Sequence, residues 1–198
     1  MYLSKVHLDW KDARNPYDWH RALWRLFPDQ AEEKRGFLFR VEEQRAGRGA
    51  LMLLQSATAP SLHHAAEIRV VAEPKRLDLS DLPVGTLLHF RLRANVVKTI
   101  RDSINPERPV RVPLIKEEQQ LEWLQRKLTL AATVEAAATK PNPPLFFSRK
   151  GQGGKLVTTT FDGKLRVLDP QRFRFLMESG VGAAKSFGCG LVSIARAA

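Results

Sequence analysis

Cysteine is nearly absent from this chain: Cys189 is the single one among 198 residues. A lone thiol cannot close an intramolecular disulfide, so a small cross-linked secreted scaffold is excluded. A zinc site is disfavoured on the same ground, because His63-His64 is adjacent rather than ligand-spaced and no thiol or carboxylate set accompanies it. Long apolar runs are missing too. Nothing approaches the ~20 residues that span a bilayer, and Met1-Tyr2-Leu3-Ser4-Lys5-Val6-His7-Leu8 alternates polar with apolar residues, without the apolar stretch of a signal peptide. The expectation is a soluble cytoplasmic protein with no membrane partner. Acidic residues are in deficit, 21 against 32 Lys plus Arg, which leaves a formal charge of +11. That excess favours a polyanionic partner, since neutralising phosphates releases counterions.

What is present suffices for folding. A hydrophobic fraction of 43% argues against disorder, and the length suits two domains of roughly 90–100 residues each. Residues 2–8 alternate as a half-buried strand. Asn15-Pro16 supplies a cap and a first-turn proline, Pro28 marks the far end, and Trp19, Ala22, Leu23 and Leu26 recur at helical spacing, so 16–27 is expected as an amphipathic helix. Residues 37–41 and 51–54 form two strands about a turn with Gly47 and Gly49. A short helix over 60–66 and a strand from Ile68 complete a β-α-β-β-α-β order.

The stretch 79–85, with Pro83 and Gly85, is expected as a linker between domains 1–78 and 86–198. A second cycle then follows: a strand over 87–97, a helix over 117–132, strands over 145–148 and 155–167 around a turn at 150–154, a helix from Asp169-Pro170 to Gly180, and a last strand over 191–195. The helix over 117–132 carries acids first and bases later, as its dipole prefers. Two such cycles imply an α+β chain of two tandem ferredoxin-like domains, a fold close to that of the RNA-recognition module.

The chemistry concentrates in two places. On the wheel of the first helix Trp19, Leu23 and Leu26 centre the buried stripe, while Tyr17, His20 and Trp24 fall on its flank and Arg21 and Arg25 lie further round. Tyr17 and His20 are i, i+3 neighbours near the helix N-terminus, where backbone N–H groups attract anions and disfavour an imidazolium. RNA cleavage without a metal needs a base for the 2′-hydroxyl, an acid for the departing 5′-oxygen and cations for the phosphorane. Histidine, tyrosine and arginine can supply these. On its own this pattern also describes an ordinary amphipathic helix. The second place is the loop 180–190, whose Gly180, Gly182, Gly188 and Gly190 admit close backbone approach to a phosphate, with Lys185 and Ser186 beside them. It is neither a Rossmann fingerprint nor a Walker loop, so a nucleotide cofactor is disfavoured.

These residues resemble the CasE-type CRISPR repeat endoribonucleases, the RNA-processing subunit of the E-type Cascade complex. The resemblance runs the length of the chain. It is carried by Met1-Tyr2-Leu3-Ser4-Lys5-Val6, by Tyr17-Asp18-Trp19-His20-Arg21-Ala22-Leu23-Trp24-Arg25-Leu26-Phe27-Pro28, by Arg111-Val112-Pro113-Leu114, by Trp123-Leu124-Gln125-Arg126-Lys127, and by 165–196 with its Gly-rich loop. It implies tandem ferredoxin-like domains and metal-independent cleavage at the 3′ base of a repeat hairpin. It further implies 2′,3′-cyclic phosphate and 5′-hydroxyl ends, retention of the product stem-loop, and other Cascade subunits as partners, with no cofactor.

On this resemblance His20 falls on the family's catalytic histidine and Tyr17 on a tyrosine beside it. Arg25 stands where some members have an assisting lysine; arginine keeps the charge but cannot exchange protons near neutrality. The hairpin with Arg149, Lys150 and Lys155 is similar to one that members place in the groove of the RNA stem. Arg91, Arg93, Lys98, Arg101, Arg108 and Arg111 of the second domain could track the backbone of an A-form stem, which is read mostly by shape and phosphate, and Arg21 or Arg25 on the first helix could contact the phosphate being cut. The alternative is a non-catalytic RNA-binding subunit of a ribonucleoprotein, because fold does not dictate activity.

Overall fold

The computed structural model describes residues 1–28, 35–61, 67–101 and 109–197. Each half of the chain builds one four-stranded antiparallel sheet. In the first, β1 (Tyr2–Leu8), β2 (Phe37–Arg45), β3 (Gly49–Ser56) and β4 (Ile68–Arg76) lie in the order β2-β3-β1-β4. In the second, β5 (Leu87–Ala94), β8 (Ala132–Pro141), β11 (Thr159–Val167) and β12 (Val192–Arg196) lie in the order β12-β5-β11-β8. Both orders place the first strand of the cycle beside its third and fourth, which is the ferredoxin-like arrangement. The expected pair of ferredoxin-like domains is therefore what the chain forms.

Each sheet buries one face beneath helices, because alternate strand residues are apolar. Val6, Leu8, Phe37, Phe39, Met52 and Leu54 meet Trp19, Leu23 and Leu26 in one core. Leu88, Phe90, Leu92, Phe161 and Leu165 meet Trp123, Leu124, Leu128, Phe173 and Met177 in the other. Polar side chains join the halves, two of them buried. The buried Arg40 guanidinium donates to the Arg91 carbonyl at 3.2 Å and to Ser193 Oγ at 2.9 Å, and Gln55 Nε2 donates to the Met177 carbonyl at 2.7 Å.

Several elements depart from the sequence expectation. The helix expected over 16–27 is shortened to α2 (Trp19–Trp24), preceded by a turn over 15–18, and a separate short helix α1 (Trp10–Ala13) lies before that turn. Asn15 is not a helix cap: its side chain braces that turn, with Oδ1 accepting from the Tyr17 N–H at 3.3 Å. The strand expected over 87–97 stops at Ala94, and a hairpin of β6 (Val97–Arg101) and β7 (Pro109–Pro113) follows. The helix expected to reach 132 is α3 (Glu117–Leu128), ended by Leu130 at φ 73°. The alanine-rich segment after it is the edge strand β8, paired to β11 along its length. High intrinsic helix propensity loses there to pairing with a neighbouring strand.

Consequently β9 (Leu145–Arg149) and β10 (Gln152–Leu156) are not members of the main sheet but a separate hairpin between β8 and β11. The helix α4 (Pro170–Ser179) matches its signals closely. Asp169 accepts from the N–H groups of Gln171 and Arg172 at 2.9 and 3.0 Å, and Gly180 ends it at φ 75°. The short helix expected over 60–66 lies mostly outside the described residues.

Candidate active site

The turn before α2 is built around Asn15. Its Nδ2 donates to Asp18 Oδ2 at 2.8 Å and to the Ser148 carbonyl at 3.0 Å, while the Ser148 N–H donates back to Asn15 Oδ1 at 3.2 Å. One side chain thus docks the β9–β10 hairpin against the start of the helix. Arg149, next in the hairpin, places its guanidinium 5.6 Å from the centroid of the Tyr17 ring. That is cation–π distance. On the far side of the hairpin Phe147 packs on Phe187 of the Gly-rich loop, ring centroids 4.7 Å apart.

His20 follows from this turn. Trp19 and Leu23 are fully buried, so the helical wheel leaves His20 half-buried on the rim of the core, not sealed within it. Its Nδ1 is shut off from solvent and makes no hydrogen bond of good geometry among the described residues. Burial holds the imidazole pKa below its ordinary 6.5, and the positive charge of Arg35 adds to that; the Tyr17 carbonyl and the Asp18 carboxylate offset only part. The result is a ring that stays neutral at pH 7, as an acceptor of protons must be.

Arg35 links the histidine to the Gly-rich loop. Its guanidinium donates to Ser186 Oγ at 3.0 Å. The loop threads between the two domains: Gly180 abuts Leu38, Gly188 abuts Phe39, and Gly182 abuts Trp123. A short 3-10 turn at Lys185–Phe187 brings Lys185 beside Arg35, with its Nζ held 2.6 Å from the Ser179 carbonyl. A cleft of about 580 Å³ opens here, lined by Arg35, Arg111, Lys127 and Lys185 together with Asn95, Thr99, Trp123 and 182–187. It is continuous along Asn95, Val97, Arg111 and Phe187 with a second hollow of about 540 Å³ that reaches Lys155 and Leu156. Five cations therefore wall one trough.

The predicted residues divide accordingly. Tyr17, His20, Arg149, Lys185 and Ser186 converge, and Arg111, Lys155 and Gly182 line the adjoining trough. Lys98 and Arg101 are exposed on β6, and Lys150 on the hairpin turn. Arg25 is turned the other way: it pairs with Asp12, and with Glu67 Oε2 at 3.0 Å. Arg21 lies 3.4 Å from Asp18. On the open face of β5, Arg91 holds Asp162 at 2.6 and 3.1 Å, and Arg93 donates to Thr158 Oγ1 at 3.2 Å. Arg108 lies outside the described residues, as do His63 and His64.

Sequence reasoning passed over Arg35, Lys127, Asn15 and Phe187. Arg35 ends a polar stretch without periodicity, so no pattern aimed it at a site. The exit from that stretch into the strong strand signal of Phe37-Leu38-Phe39 was the available clue. Cys189, by contrast, is a packed residue, for burial pushes its thiol up to about 12, far from nucleophilic use.

Known proteins are similar to this chain in sequence and in fold. The family described as CRISPR associated protein matches residues 1–196. The CRISPR system Cascade subunit CasE of Escherichia coli K12 is 42% identical, over 98% of this chain and 99% of its own. The CRISPR-associated endoribonuclease Cse3 of Thermus thermophilus is 30% identical, over 98% of this chain and 100% of its own. Among solved structures, Cas6e from E. coli K-12 aligns over 100% of both chains at 42% identity with a TM-score of 0.87. Cse3 bound to a 19-nucleotide RNA aligns over 98% of this chain and 100% of its own at 29% identity, with a TM-score of 0.81. Matched along its whole length in sequence and in fold, this chain belongs to the CRISPR-associated protein family of CasE and Cse3.

Proposed function

We propose that this protein is an endoribonuclease that cuts CRISPR precursor RNA at the 3′ base of its repeat hairpin, without a metal ion, and retains the stem-loop it produces. The reading rests on one observation: a half-buried histidine, His20, whose pKa is lowered by burial and by the neighbouring Arg35, and Arg35 in turn walls a trough together with Arg111, Lys127, Lys155 and Lys185. Residues 1–78 then carry the catalytic helix, 79–85 act as linker, and 86–198 hold the RNA. The relatives support the substrate class, since Cse3 is an endoribonuclease seen with RNA and CasE is a Cascade subunit. By the same token other Cascade subunits are this chain's protein partners.

The steps follow from the groups present. His20 takes the proton of a ribose 2′-hydroxyl, whose oxygen attacks the adjacent phosphorus. The bond from phosphorus to the 5′-oxygen breaks, that oxygen takes a proton from solvent water as it leaves, and the His20 imidazolium returns its own proton to solvent. The products are a 2′,3′-cyclic phosphate and a 5′-hydroxyl, with no water consumed. Tyr17, fixed by its N–H bond to Asn15 and by Arg149 over its ring, positions the ribose. Charge argues against a divalent ion, because the trough presents ammonium and guanidinium groups where such an ion needs carboxylates. The stem lies along Arg111, Lys155 and the β9–β10 hairpin, and Gly182, Lys185 and Ser186 hold backbone phosphates.

The test is cleavage of end-labelled hairpin repeat RNA with and without EDTA, the product ends being mapped. Cutting that survives chelation and yields a cyclic phosphate is the expected result, with His20→Ala binding the RNA but cutting far more slowly. Tight binding that leaves the RNA intact assigns the protein to RNA holding alone.

A further inference from the structure

Attack by a 2′-oxygen places a further negative charge on the phosphate, and some cation must meet it. Of the two arginines on and next to α2, Arg25 is engaged by Asp12 and Glu67, and Arg21 lies at Asp18. Arg35 differs. Among the described residues its one hydrogen bond goes to the uncharged Ser186 Oγ, and no carboxylate pairs with it. It is half-buried, and among the described residues the titratable groups shown to feel its charge are basic: Lys185 and His20. A guanidinium carries five N–H donors in a planar fork. Held partly out of water among other cations, it is a costly arrangement that an incoming anion would relieve.

We propose that Arg35, anchored by Ser186, is the residue that grips the phosphate at the bond being cut. Its fork spans two phosphate oxygens, as a lysine cannot. The same group stands next to the imidazole, so it keeps the proton acceptor neutral and meets the charge formed when that proton is taken. This inference rests on His20 being the proton carrier.

Two measurements separate the two. In single-turnover cleavage at saturating protein, Arg35→Ala loses about 100-fold or more in rate, in line with removal of one preorganised donor. Arg35→Lys recovers part of that loss, and Arg25→Ala loses less than Arg35→Ala. Binding is then measured with repeat RNA carrying a 2′-deoxy nucleotide at the cut and either a normal or an uncharged methylphosphonate linkage there. Neutralising that linkage weakens binding to the wild-type protein but leaves binding to Arg35→Gln and Arg35→Ala little altered. If the Arg35 variants remain as sensitive to the neutral linkage as the wild type, the proposal is wrong, whether or not the protein cuts. It is wrong as well if Arg35→Ala cuts within about threefold of wild type. An uncut wild-type reaction that still shows the linkage effect defeats the enzyme reading and leaves the phosphate contact standing.

Discussion

Asn15 and Ser148 hydrogen-bond to each other in both directions, at 3.0 and 3.2 Å, across 133 residues of chain. The turn that presents Tyr17 and His20 is therefore tied to a hairpin of the other domain. Removing the amide by Asn15→Ala leaves the N–H groups of Tyr17 and Ser148 without this acceptor and should cost about 1–2 kcal/mol of stability. Hydrogen exchange over 145–149 should quicken and cleavage should slow several-fold. Unchanged exchange in the hairpin would show that Asn15 does not dock it.

The proposed role of His20 predicts how activity and stability respond to pH. Its folded pKa lies below 6.5, first because of burial and then because of Arg35. A base that must be neutral gives a cleavage rate that climbs with pH, has its acidic midpoint below 6.5, and is flat by neutrality. For stability the unfolded chain binds the proton more readily than the native one. The contribution of His20 is then fully present above pH 6.5 and is lost as pH falls from there through the lower folded value. Urea midpoints of the wild type and His20→Asn should converge over that interval. A midpoint above 6.5 in either measurement contradicts a desolvated ring.

How much of this was legible in the sequence depends on whether a signal was local. Trp19, Leu23 and Leu26 have the helical period, and all three are buried; Asp169, Pro170 and Gly180 are capping chemistry, and α4 begins and ends on them. The strand β8 was not legible. Its alanines have no strand preference of their own and acquire structure from the β11 edge, where Gly163 lets the backbone approach the Ala136 carbonyl. In the site, the family resemblance led to Tyr17 and His20. The partners of the arginines are long-range facts: Asp12 and Glu67 for Arg25, Asp162 for Arg91 and Ser186 for Arg35. One-dimensional spacing cannot assign such partners, so a basic residue's availability to RNA had to come from the fold.

Gly182 is a loop position where a side chain is poorly tolerated. Its φ of 79° disfavours any residue with a Cβ, and an added Cβ would lie 2.9 Å from the Trp123 ring. Strain of roughly 1–3 kcal/mol is expected from the backbone alone. Because the loop also supplies Lys185 and Ser186, Gly182→Ala should lower the melting temperature and weaken RNA binding together. Gly151, with open space around it and a similar φ, should cost stability when replaced by alanine but not disturb the trough. Equal losses of RNA binding in the two variants would deny the loop its special place.

Arg111, Lys127 and Lys185 line the trough from three different elements, so each should meet a phosphate independently of the others. Every such contact releases counterions, and log K against log salt falls by about 0.9 for each phosphate neutralised on a duplex. Replacing one of the three by alanine should flatten that slope by about one unit and weaken binding evenly across stem sequences. Replacing all three should flatten it by roughly three units, because separate phosphate contacts add. Fluorescence anisotropy of a labelled hairpin over a salt series measures this directly. A slope that stays at the wild-type value in the triple variant would mean that RNA runs along some other face, and the trough would lose its role as the substrate channel.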